Sequence, residues 1–146
     1  MMRRHGEQIV RGQHYKTRPG VYAILPLATR ILLTHQAAPT PEFQLPGGGI
    51  DPGEGPLQAL HREVIEETGW RIARPRKLGA YRRFTFLPDY QLWAEKICHI
   101  YVAHPVHPHG PPKEDGHSAV QVDAALAQEL VASDGDRAFL TQFLQF

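Results

Sequence analysis

The chain has 146 residues, with 16 Lys and Arg against 15 Asp and Glu, a formal charge of +1 with histidines neutral, 42% hydrophobic and 21% charged residues. Those values fit a single folded domain over residues 1–146 and exclude a disordered chain or two well-formed cores, while the near-neutral charge argues against a field that gathers DNA or RNA. The lone Cys98, set in KICHIYVA, has no disulfide partner and reads as part of a core strand. The start MMRRHGEQIV lacks the apolar run of a signal peptide and no stretch is long enough to span a membrane, so a cytoplasmic protein is expected.

Residues 1–19 read as a polar, extended lead-in with room for an edge strand. Val21–Leu25 and Arg30–His35 are aliphatic runs around Pro26-Leu27-Ala28-Thr29, a pattern that predicts a hairpin. Pro46-Gly47-Gly48-Gly49 and Pro52-Gly53 then require a shaped loop, since neither helix nor strand interior tolerates that density of Gly and Pro. Pro56 suits a first helical turn and Gly69 a C-terminal cap, which places a helix over 55–68 with Leu57, Leu60 and Val64 as its buried stripe. Lys77–Phe86 and Leu92–Ala103 read as two strands split by Pro88-Asp89, and His104–His117 as a surface loop. Ala119–Val122 predicts a last strand, followed by a helix capped by Asp123 and running through Val131. A second terminal helix starts at Ser133 or Asp134. Strands interleaved with one helix and followed by terminal helices predict an α/β sandwich with a mixed sheet covered on both faces.

On the central helix, a turn of about 100° per residue brings Glu63, Glu66 and Glu67 into one arc beside the apolar stripe. Like charges that close disfavour the helix unless a cation compensates them. Carboxylate oxygens suit Mg²⁺, with Mn²⁺ as a substitute, and Mg²⁺ keeps coordination positions free for phosphate oxygens. The glycine loop ahead of the helix lets backbone approach a ligand closely. Taken alone, the carboxylates fit equally well a solvated acidic face on which Arg62 makes ordinary surface pairs.

Read together, GGIDPGEGPLQALHREVIEETGW from Gly48 to Trp70 resembles the Nudix box: Gly, five residues, Glu, seven residues, Arg-Glu, an aliphatic, any residue, Glu-Glu, any residue, Gly, an aliphatic. Gly48, Glu54, Arg62, Glu63, Val64, Glu66, Glu67 and Gly69 occupy their slots; Trp70 replaces the usual aliphatic residue, and Asp51 stands where many members have Glu. The resemblance implies a Nudix-type α/β/α sandwich and hydrolysis of a diphosphate linkage. It implies magnesium on Glu63, Glu66 and Glu67, the Gly47 carbonyl as an extra ligand, and Arg62 joining the catalytic group. It also implies a structural pair of Glu54 with Arg62, and structural roles for Gly48 and Gly69. Some members recruit another acid from outside the box, for which Glu114 and Glu95 are the candidates.

The partner so implied is a small nucleotide. A nucleoside diphosphate linked to another moiety, ADP-ribose-like or a nucleotide sugar, ranks first and a nucleoside triphosphate second; a non-catalytic nucleotide sensor on the same fold is the rival from another class. An RNA 5′-end pyrophosphohydrolase would need a basic track, which no Lys or Arg cluster is read to supply. Arg82 and Arg83 beside Tyr81 and Phe84 are candidates for substrate phosphates, although alternation on a strand lets at most one of them face the site. Phe84, Phe86 and Trp93 read as core filling before a base pocket, and residues 35–40 as a loop that shapes specificity. His99, His104, His107, His109 and His117 match no zinc spacing and read as solvated. Oligomeric state is left open, a homodimer included.

Overall fold

A computed structural model describes residues 2–145. Its strands and helices run β1 (Arg3–Arg4), β2 (Lys16–Ile24), β3 (Pro26–Leu27), β4 (Arg30–Gln36), β5 (Glu42–Gln44), β6 (Gly47–Gly49), α1 (Pro56–Thr68), β7 (Trp70–Leu87), β8 (Leu92–Pro108), β9 (His117–Asp123), α2 (Ala124–Leu130) and α3 (Asp134–Leu144). A short 3₁₀ turn, Pro88–Tyr90, joins β7 to β8.

One sheet has the order β1-β7-β8-β2-β6 and is mixed: β7 and β8 form a long antiparallel ribbon, β8 runs parallel to β2, and β6 returns antiparallel to β2. In the second sheet β9 pairs along one side of β4, from Arg30–Asp123 to Gln36–His117, while β3 and β5 pair with it in tandem. Buried on both faces, β2 sends Val21 and Ala23 into a cluster with Leu32, Ala59, Leu60 and Val64 of β4 and α1. Its Ile24 joins the other cluster, with Ile31, Leu33, Ile100 and Leu140, beneath α2 and α3. A strand covered on both sides reads as a continuous apolar run, and the helices on the two faces give the expected α/β sandwich. Among the described residues no helix is long and apolar enough to cross a membrane.

Several elements differ from the sequence reading. The expected hairpin of Val21–Leu25 with Arg30–His35 is absent: β2 pairs with β6 and β8, and the tight turn joins only β3 to β4 as the chain passes between sheets. A local turn signal does not decide which sheet a strand joins. Of the lead-in, Arg3 and Arg4 do form an edge strand against Tyr81 and Arg82, but Lys16–Pro19 already belong to β2. The loop expected over His104–His117 shrinks to 109–116, because β8 continues to Pro108 opposite Trp70 and His117 opens β9. Register shifts near Arg71, Ala73 and Lys77 absorb this extension, and Arg74 takes a left-handed conformation between them, at φ 51°. Helix α1 has the expected ends, with Pro56 in its first turn and Gly69 at φ 77°, but its buried face is Ala59, Leu60, Val64, Glu67 and Thr68. Leu57 is 47% exposed, so the covered face of the helix begins only at Ala59.

Candidate active site

The glycines before α1 are spaces as much as turns. Gly47 has φ 156°, and a Cβ there would run into the Val21 carbonyl oxygen. A Cβ on Gly48 would lie 2.6 Å from the Glu63 carboxyl carbon, so only a bare backbone lets that carboxylate lie against β6. The N–H of Gly47 donates to Glu67 Oε1 at 2.8 Å, joining the strand to the last turn of the helix. It is this amide that the structure brings to the acidic group.

Arg62 ties the rest of the loop down. Its guanidinium meets Glu54 in a two-pronged contact, Nε to Oε2 at 2.7 Å and Nη2 to Oε1 at 2.8 Å, and also donates to the Gly49 carbonyl at 3.0 Å. Nη1 reaches Glu63 at 2.9 Å and Glu66 at 3.2 Å. The fork geometry fixes orientation as well as charge. Arg62 holds the Glu54 carboxyl down to about 2, so that pair stays ionised at any working pH.

The remaining acids are poised differently. Burial pushes the Glu67 carboxyl up to about 8, reinforced by the charges of Glu114, Glu63 and Glu66 and opposed by the Gly47 N–H. Burial also raises Glu63, against the pull of Arg62. A buried carboxyl crowded by like charges holds its proton until a cation replaces it.

Glu114 arrives from the loop 109–116. The N–H groups of Lys113 and Glu114 both donate to the Glu66 carbonyl, at 2.8 and 3.0 Å, and His109 donates to the Gly69 carbonyl at 2.6 Å. The open C-terminal carbonyls of α1 therefore seat the loop. Glu63, Glu66 and Glu114 each offer an oxygen within 4.8 Å of the others, and Glu67, Glu114 and His117 form a second such group. Carboxylate oxygens around a small space fit a hard divalent cation. The sequence reading set His117 among solvated loop histidines; its 10% side-chain exposure comes from a strand pairing, β9 on β4, that no local signal announces.

Other candidates separate. Arg82 pairs with Glu95, Nε to Oε2 at 2.7 Å, on the sheet face opposite Arg83, so neither Arg82 nor Glu95 joins the acidic group. Arg83 lines a cavity of about 260 Å³ with Gly47, Tyr22, Lys96 and Asp136, while Glu7 from the lead-in covers it at 3.0 Å. An adjoining cavity shares Tyr22 and Lys96 and adds Arg18 and Glu63. Phe84 is buried as expected, but Phe86 and Trp93 are 38% and 36% exposed and pack with each other at 5.2 Å. On β7, Arg71, Arg74, Arg76 and Lys77 are all exposed.

The match to the NUDIX domain model spans residues 16–143, and the chain belongs to the Nudix family. It is 35% identical over 78 residues to a Bacillus subtilis protein named as a candidate 8-oxo-dGTP diphosphatase, covering 53% of this chain and 52% of that one. It is 44% identical over 61 residues to a Helicobacter pylori RNA pyrophosphohydrolase, covering 38% of this chain and 39% of the relative. The matched stretches thus span about half or less of these curated relatives. A Nudix hydrolase from Nitrosomonas europaea superposes with a TM-score of 0.72 at 19% identity, over 89% of this chain and 90% of that one, which shows the shared fold. Nudix hydrolases generally use divalent metals.

Proposed function

We propose that the chain is a magnesium-dependent pyrophosphohydrolase that cuts a phosphoanhydride bond of a nucleotide, with nucleoside triphosphates as its first substrates. The observation that carries this reading is the convergence of Glu63, Glu66 and Glu114 within 4.8 Å of one another. A helix and a separate loop meet there to gather charge that no side-chain cation fully balances. A divalent metal held by these carboxylates supplies charge neutralisation on the diphosphate and a more acidic bound water. The chain's own contribution is placement: Arg62 and Glu54 hold the loop on the helix, Gly47 orients Glu67, and Arg18, Lys96 and Arg83 line the adjoining cavities with positive charge.

Support for triphosphates comes from the relative named for 8-oxo-dGTP. The ADP-ribose-like compounds ranked first on sequence have no counterpart among the names of the matched relatives reported above. A second reading, an RNA end as substrate, is favoured by the H. pylori relative and by the exposed cations Arg71, Arg74, Arg76 and Lys77.

A panel of dGTP, 8-oxo-dGTP, ADP-ribose and 5′-triphosphorylated RNA with Mg²⁺, assayed by product chromatography, tests the proposal. Turnover of the triphosphates, abolished in Glu67→Gln, is expected. Preference for ADP-ribose would restore the earlier ranking. Tight binding without product on every compound would make the chain a sensor and refute the hydrolase reading.

A further inference from the structure

Resting on that reading of the acidic group, we propose that His117 supplies a nitrogen ligand to a second cation position, built with Glu67 and Glu114. Its mixed donor set would favour transition-metal ions over magnesium. The residue is nine-tenths buried, with 10% of its side chain exposed. Its two ring nitrogens have different surroundings. Nδ1 faces two oxygens, Thr34 Oγ1 at 3.1 Å and Glu67 Oε2 at 3.7 Å. Nε2 has no hydrogen-bond partner and points toward Glu114 Oε1, 3.9 Å away.

That asymmetry suits one tautomer for metal binding. With the proton on Nδ1, within hydrogen-bond distance of Thr34 Oγ1, the lone pair is left on Nε2. An imidazole anchored through Nδ1–H to an outer oxygen, with Nε2 free, is the arrangement that protein metal ligands adopt. The 3.9 Å between Nε2 and Glu114 Oε1 fits a shared ion, because bonds of about 2.0–2.2 Å from nitrogen and from oxygen allow two ligands of one ion to stand up to about 4.2 Å apart. One atom each from Glu67, Glu114 and His117 lies within 4.8 Å of the other two.

Glu114 belongs to both groups, so the loop that completes the all-carboxylate position also completes this one. The two positions differ in chemistry. Oxygen alone suits magnesium, whereas an imidazole raises affinity for later divalent ions such as cobalt and zinc. Thr34 makes the second position rigid, since it is fully buried in β4 opposite Ala119 of β9 and cannot turn away.

Mn²⁺ added to the metal-free full-length chain gives a direct readout by pulsed electron paramagnetic resonance. Nitrogen modulation from a directly bonded imidazole is expected, and it should change to the ¹⁵N pattern when the chain is labelled with ¹⁵N-histidine, a test that needs no substitution. The modulation should vanish in His117→Gln and persist in His107→Gln, an exposed control. Isothermal titration should show Zn²⁺ and Co²⁺ affinity falling about tenfold or more in His117→Gln with little change for Mg²⁺. Bound Mn²⁺ without nitrogen modulation, or modulation that survives His117→Gln, overturns the nitrogen ligand alone. Failure of Mn²⁺ and Mg²⁺ to bind at all overturns both this assignment and the proposed hydrolase site.

Discussion

Glu67 should make the stability of the metal-free chain fall as pH rises. The residue is 6% exposed and its carboxyl is held up to about 8, against 4.5 for an ordinary glutamate. The folded state therefore keeps a proton that the unfolded chain gives up. The resulting stabilisation is complete below the unfolded value, declines through the window between the two, and is gone above about pH 8. At about 1.4 kcal/mol per unit, the full shift corresponds to about 5 kcal/mol, and partial hydration of the opened site brings the expected loss to about 2 to 5 kcal/mol. Urea denaturation in chelator from about pH 5 to 9 measures it. In Glu67→Gln the amide cannot titrate, so most of the slope should disappear. With saturating Mg²⁺ the slope should shrink or reverse, because the cation displaces the proton and binds more tightly by up to about tenfold per pH unit below pH 8. Parallel slopes for wild type and Glu67→Gln in chelator would refute the assignment of the proton to this carboxyl.

Two further outcomes follow from the helix and its docked loop. Leu60→Ala should cost about 2–5 kcal/mol and Leu57→Ala less than about 0.5 kcal/mol in chemical denaturation, where an unbroken i, i+3, i+7 stripe implies similar costs, since of the two only Leu60 is buried. Gly69→Ala puts a side chain at φ 77° and drives its Cβ into the Gly110 carbonyl oxygen; we expect about 1–3 kcal/mol of destabilisation. Weaker Mn²⁺ binding should accompany it, as the loop that carries Glu114 is displaced. Unchanged Mn²⁺ titration would show that the loop is not held through this contact.

What could be read from the sequence divides along the range of the interactions. Helix α1 and its caps were legible because Pro56 and Gly69 act within one turn, and α3 likewise, where the Ser133 hydroxyl accepts from the Asp136 N–H as an N-cap should. The pairing of β2 was not legible. Its neighbours β6 and β8 are settled by which face α1 covers, a matter of tertiary packing, while the local turn at Pro26–Arg30 signals a hairpin that forms over only two residue pairs. Leu57 fails for the same reason: periodicity gives a stripe, and the length of the covering layer decides how much of it is buried.

The site shows the same division more sharply. Glu63, Glu66 and Glu67 lie on one arc by helical geometry alone, so their convergence needs no knowledge of the fold. Glu114 and His117 reach them from about fifty residues away by two different devices. Glu114 is hung on a carbonyl that every α-helix leaves open at its C-terminus, here that of Glu66, and a loop adopts that position only if Gly69 clears the way. His117 is carried in by strand register: β9 pairs with β4 so that His117 stands opposite Gln36, with Thr34 Oγ1 3.1 Å from its Nδ1, and a slip of one residue would turn it to the other face of the sheet. Glu114 therefore belongs to both groups, while Glu67 of the locally coded helix meets directly a histidine placed by register. Losing the loop should remove Glu114 from both positions while leaving the helix carboxylates in place, which makes Gly69 a more informative residue for the site's assembly than any of the glutamates it serves.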